Sequence, residues 1–285
     1  MAKTQDLKRR IRSIGNTMQL TRAMKMVAAA KLRRAQDHMM RARPFAHKTL
    51  QVLRSLAARA NPELNPLLSV HGDKRTEIVV LTGDKGLCGG FNSHIIRTAE
   101  SYMREHDERT FTLTPIGKRG GEYFRRHGFD ITQSYADVFR DVDFPLAAGI
   151  AQVLIDAYVN EKVDEIYLVY NEFKSAIQAK PIVQRLLPVE PIEVAKDETA
   201  DDYLYEPEPQ QLFAKLLPYY VEVLVFQALL ESVAAEHAAR MTAMEAATKN
   251  AGELIESLTL TMNRVRQASI TTEIIEVVSG AEALG

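Results

Sequence analysis

The chain has 285 residues, with 36 Lys+Arg against 37 Asp+Glu, a single Cys and no Trp. A formal charge of -1 argues against a wholly basic nucleic-acid binder, and one Cys rules out an internal disulfide or a four-Cys zinc site. The length permits one large domain or two smaller ones. Residues 1–6 are charged with no apolar run behind them, and the longest weakly polar stretch, 146–155, falls far short of the ~20 residues of a membrane span. A soluble, intracellular chain is therefore expected.

The first element is a helix. Residues 1–45 hold twelve basic residues and two acidic ones, a net +10 that leaves -11 on the other 240. Such a local field indicates a solvated helix face, a nucleic-acid arm or a charged partner. No aromatic residue precedes Phe45, so the segment has nothing to stack on bases. It does have an apolar period. Leu7, Ile14, Thr21, Ala28 and Ala35 form one row, and Ile11, Met18, Lys25, Leu32 and Met39 the other. Spacings of four and three describe a coiled-coil seam. The pattern predicts a helix over 4–43 that resumes to about residue 60, with Pro44 as a kink or a break.

The middle of the chain reads as α/β. Strands are predicted at 76–82, 110–116, 165–170 and 181–189, and helices at 92–106, 118–127 and 145–161. The alternation predicts a small, mostly parallel sheet. Residues 83–91 form a Gly-rich loop between strand and helix, where phosphate loops sit. It lacks both GxGxxG and a GK followed by Ser or Thr, so a structural turn is the reading. Cys88 has His94 nearby but no assignable base and orienter, and reads as a structural thiol. The seven His residues show no paired ligand spacing. Residues 195–210 are acidic, hold two prolines and read as an exposed connection.

A second long helix is predicted over 219–278, with no Pro after Pro218. Leu230, His237, Met244, Ala251, Leu258 and Val265 form one row, and Ala234, Met241, Thr248, Ile255, Met262 and Ser269 the other. A helix of that length cannot bury its stripe alone. The expected fold is α/β plus a long antiparallel coiled coil, with the terminal helices paired and a Rossmann-like α/β domain inserted between them. The expected division is 1–60 N-terminal helix, 61–75 linker, 76–194 α/β domain, 195–210 connection and 211–285 C-terminal helix. Residues and spacing alone stop at a non-enzymatic protein that acts through partners.

Several runs resemble one family, the gamma subunit or central-stalk rotor of bacterial F-type ATP synthase. The C-terminal run Ile270-Thr271-Thr272-Glu273-Ile274-Ile275-Glu276-Val277-Val278-Ser279-Gly280-Ala281 is similar to the family signature throughout. Residues 14–28, 86–90, 203–207, 238–244 and 263–269 match further landmarks in the family's order. The resemblance implies a shaft that enters a hexamer of alpha and beta subunits, with the α/β domain below it beside epsilon on the c-ring. Ion flow through the ring would turn the shaft and drive each beta subunit through its states. ATP chemistry would lie on beta, and this chain would hold no catalytic residue, cofactor or metal. It would bind no nucleic acid and meet the membrane only through the complex, on the cytoplasmic face of a bacterial plasma membrane.

By the same resemblance Met24 and Lys25 face an acidic lever of beta, while Arg266 and Gln267 contact a beta catch loop, with Arg240, Thr271 and Glu273 near that interface. Lys25 also falls on a heptad core position, where a snorkelling seam residue is the alternative. Ile274, Ile275, Val277, Val278 and Leu284 would form an apolar bearing tip, and Tyr203, Tyr205 and Glu206 would lie near the c-ring and epsilon. With Cys88 alone, a dithiol switch of the plant-chloroplast type is impossible. Two rival classes remain at this point, a basic coiled coil that binds nucleic acid and a Gly-loop enzyme.

Overall fold

The computed structural model describes residues 2–57, 65–175, 179–190 and 208–282. In chain order its elements are α1 (Ala2–Ala57), β1 (Arg75–Leu81), α2 (Phe91–Glu105), β2 (Thr110–Ile116), α3 (Lys118–Arg126), α4 (Phe144–Val159), β3 (Glu165–Phe173), β4 (Ala179–Leu187) and α5 (Pro209–Glu282), with a 3-10 turn at Val138–Arg140. The chain divides into two compact units. One joins Met1–Ala29 to Arg240–Gly285, and the other is Ala30–Ala239.

The larger unit holds a four-stranded sheet of order β2-β1-β3-β4. β1 pairs in parallel with β2 and β3. Such strands are buried on both faces, and Ile78, Val79, Val80 and Leu81 are all buried. β4 runs antiparallel to β3, because the few residues between them are too short for a crossover. Along α2, Phe91, Ile95, Ile96, Ala99 and Met103 recur at helical spacing and are buried. α4 starts where Asp143 Oδ1 accepts the Leu146 N–H at 2.9 Å, with Pro145 in the first turn. Phe124, Ile95 and Leu154 are among the largest fully buried side chains, each contributing about 1.5–3 kcal/mol on leaving water.

Charged pairs close the edge of the sheet where β1 to β3 begin. Arg75 donates to Asp164 Oδ1 through Nη2 at 2.5 Å and Nε at 3.1 Å, and its backbone N–H meets Oδ2 at 2.9 Å. These bonds hold the Asp164 carboxyl below its usual range. Arg109 pairs with Glu165, and Arg185 approaches the same carboxylate at 4.0 Å. Tyr158 donates to the Ser69 carbonyl, and burial pushes its phenol up to about 12. Inside the sheet Glu77, on β1, accepts from Thr114 Oγ1 at 2.6 Å, and burial raises its pKa.

Pro44 lies inside α1, which continues through it, so a break is excluded. Leu53 and Leu56 are fully buried and anchor the segment beyond it. α5 starts at Pro209 rather than near 219, with Pro218 inside the helix. An interior proline costs ~3 kcal/mol. Here Phe213, Leu217 and Val221, all buried, flank it and offset that cost.

One expectation is corrected. Within Gln210–Ser279 an 18-residue window reaches mean hydropathy 1.4, so by length and composition this helix could cross a membrane. Only 39% of that window is buried. In the larger unit α5 buries residues outside the seam rows as well, such as Val225, Leu229 and Ala235.

Candidate functional site

Among the described residues the surfaces that stand out are the helix seam and the glycine-rich loop. In the smaller unit α1 and α5 run antiparallel. Thr21 Oγ1 and Thr248 Oγ1 share a hydrogen bond of 2.8 Å, and Lys25 Nζ reaches Glu245 Oε1 at 2.6 Å. A methyl group on Gly252 would stand 4.0 Å from Met18 Sδ, in ordinary contact. The predicted rows are the sheltered ones. Thr21 and Ala28 are buried, while Leu7, Ile11, Ile14, Met18 and Lys25 are half-buried. On α5, Met244 and Ala251 are buried, and Met241, Thr248, Ile255, Leu258, Met262, Val265 and Ser269 half-buried.

Met24 and Arg240 are half-buried, and Arg266, Gln267, Thr271 and Glu273 are exposed. Thr271 turns its hydroxyl back onto the Gln267 carbonyl at 3.0 Å. Lys25 keeps a seam position with its ammonium at the edge, where its side chain is 38% exposed and that of Glu245 61%. Both readings of Lys25 therefore share one geometry, since a charge so exposed binds its partner by only ~0–1 kcal/mol. Glu245 was not singled out in the sequence. Its signal was available, as an acidic residue flanking the seam position Met244. Ile274, Ile275, Val277 and Val278 are each more than half exposed. Leu284, Tyr203, Tyr205 and Glu206 lie outside the described residues.

The glycine-rich loop follows β1. Several of its polar groups are engaged within the fold. Asn92 Oδ1 accepts the Gly83 N–H at 2.8 Å, and the Gly83 carbonyl accepts from the Arg119 N–H at 3.2 Å. Asp84 Oδ1 accepts the N–H groups of Lys118 and Asp137 at 3.0 and 2.9 Å. Cys88 is buried, with its sulfur 3.3 Å from Asn92 Nδ2 and 3.7 Å from the Lys85 carbonyl. The His94 ring packs on Gly90, where a methyl group would stand 2.6 Å from it. An anion would have to displace these contacts, and the loop lacks the GK followed by Ser or Thr of a phosphate site. A methyl group on Gly83 would stand 2.6 Å from Glu236 Oε1, so the carboxylate of α5 abuts the loop.

A cavity of about 520 Å³ in the larger unit is lined by Phe45, Phe144, Tyr219 and Phe226 with His38 and Arg41. Among the described residues its lining holds no carboxylate or thiol to act with His38.

The family profile described as ATP synthase matches residues 3–284. The ATP synthase gamma chain of Desulforamulus reducens is 48% identical over 284 residues, covering 100% of both chains. That of Geobacter metallireducens is 46% identical over 286 residues, 100% of this chain and 99% of its own. Among solved structures, the central stalk and c-ring of Tetrahymena thermophila mitochondrial ATP synthase contains a chain with 31% identity and TM-score 0.61, over 80% of this chain and 99% of that one. A chain of the Euglena gracilis mitochondrial ATP synthase, solved as OSCP/F1/c-ring, has TM-score 0.70 over 99% of this chain and 95% of its own; at 18% identity it shows the fold alone. The paired terminal helices, the inserted α/β sheet and the end-to-end match agree, and the chain belongs to the ATP synthase gamma chain family.

Proposed function

We propose that this chain is the central rotor shaft of an F-type ATP synthase, peripheral to the cytoplasmic face of a bacterial plasma membrane. Ion-driven turning of a c-ring passes through the α/β domain, seated with an epsilon subunit, into the paired helices. The helices then bias each beta subunit of an alpha–beta hexamer in turn. In hydrolysis the same coupling runs backwards. The observation that carries this reading is the full-length relationship to gamma chains.

Physical chemistry supports it. A rotor must make different contacts with three identical neighbours and then release them. Exposed charges on α1 suit brief contact, because each ion pair is weak. In this reading Met24 and Lys25 meet the beta lever, with Lys25 exchanging Glu245 for the lever's carboxylates. Arg266 and Gln267 meet the catch loop, with Arg240, Thr271 and Glu273 beside them. Ile274, Ile275, Val277, Val278 and Leu284 turn in an apolar sleeve, where non-directional contact sets no preferred angle. Tyr203, Tyr205 and Glu206 belong to the foot beside epsilon and the c-ring.

The test is reconstitution of the complex in vesicles. Arg266→Ala with Gln267→Ala is expected to lower ATP synthesis by a fewfold to about thirtyfold without unfolding the chain. Unchanged synthesis refutes the catch contact. A chain that retains nucleic acid and never assembles with alpha, beta and epsilon refutes the rotor.

A further inference from the structure

The glycine-rich loop has no role in the rotor reading as it stands. It occupies the place where open α/β sheets hold ligands, at the carboxyl ends of adjacent strands where the connections reverse direction. β1 leads through α2 to β2 on one side, and β3 lies on its other side. In this chain the crevice is filled from within. Glu231 and Glu236 of α5 are each only 4% exposed. Glu231 Oε2 accepts the N–H of Phe173, the last residue of β3, at 3.3 Å, and its Oε1 accepts from Gln227 Nε2 at 3.0 Å. Glu236 abuts Gly83, two residues past the end of β1, so that a methyl group there would force the carboxylate to shift. Thus two carboxylates of one helix reach the ends of two neighbouring strands.

Burying carboxylates is unfavourable unless they are held, and apolar residues would pack this helix as well. Their placement gives something apolar packing lacks, a fixed rotation and register of α5 on the sheet edge. We propose that the loop is a socket for Glu236, and that Glu231 and Glu236 lock α5 to the sheet so that rotation imposed on the α/β fold passes to the helix without slip. Gly83, Glu231 and Glu236 are positioning residues. This rests on the rotor reading above and assigns the loop that reading's missing mechanical joint.

The experiment uses the complete reconstituted ATP synthase and reads ions pumped per ATP hydrolysed. Gly83 does not require a left-handed backbone, so Gly83→Ala probes space alone. The variant is expected to lower the pumping ratio roughly two- to tenfold while hydrolysis continues. Adding Glu236→Asp withdraws the carboxylate by one methylene and is expected to restore the ratio. If Gly83→Ala abolishes assembly, recovery of assembly in the double variant supports the same joint. A wild-type ratio in Gly83→Ala, or no recovery in the double variant, overturns the lock. Failure of the wild-type chain itself to assemble and couple overturns the rotor reading instead, so the two failures are distinct.

Discussion

Asp164 and Glu77 have opposite acid–base signatures. Hydrogen bonds from Arg75 hold Asp164 below 3.8. Its contribution is present above that value and is lost as pH falls through the lowered one. Glu77 is raised above 4.5 by burial, and the Thr114 hydrogen bond offsets this only in part. The folded chain then binds the proton more tightly than the unfolded one, so stability declines as pH climbs from 4.5 through the raised value. Asp164→Asn is expected to cost about 1–2 kcal/mol at neutral pH, near the lower end for bonds to charged groups because Arg75 is half exposed, and to flatten the acid limb. Glu77→Gln is expected to raise neutral-pH stability and remove the decline. Denaturation midpoints across the acid-to-neutral range decide both, and curves parallel to wild type would refute the assignments. Neither role was legible in the sequence, because a carboxylate on a strand or just before one is indistinguishable from a surface one until its neighbour on the next strand is known.

For the helices, the seam was legible almost residue by residue. A period of 3.5 fixes which face is sheltered whatever the partner, and both rows emerged sheltered along their whole length. The strands were legible to within a few residues, but the direction of β4 was not written in its own residues. It follows from the short connection that precedes it. The lock of α5 onto the sheet was hidden for another reason. Glu231 and Glu236 interrupt an apolar stretch, and that interruption was the available signal, but what each meets on the sheet edge is a backbone N–H or a glycine, which carries no side-chain signature. The seam's own polar pair yields a prediction. Thr21→Val leaves Thr248 without its cross-helix partner and is expected to cost about 1 kcal/mol, whereas Thr21→Val with Thr248→Val should be nearly neutral. A double-mutant cycle on thermal unfolding measures this. Additive losses would show that the two hydroxyls do not depend on each other.

For the molecule as a whole, near-zero net charge conceals a basic first helix set against an acidic remainder. Solubility of the free chain therefore depends on local surfaces more than on the total. Ile270, Ile274, Ile275, Val277 and Val278 stand 48–72% exposed on one terminal stretch. A contiguous apolar surface of this kind drives association when its partner is missing. The isolated chain is expected to self-associate, and truncation after Ser269 should shift it toward monomer in sedimentation while leaving its unfolding transition in place. Equal association of both forms would show that the tip is not responsible.

The pairing of 21 with 248 and 25 with 245 also fixes where the double rod ends. Carried outward at one residue per residue, α1 is exhausted opposite about residue 268 of α5, roughly 20 Å short of that helix's end at 1.5 Å per residue. Beyond that point there is one helix where before there were two. A single α-helix twists and bends far more readily than a packed pair, so the shaft has a step in stiffness. Under a given torque the single-helix turns would deform more per residue than the paired part.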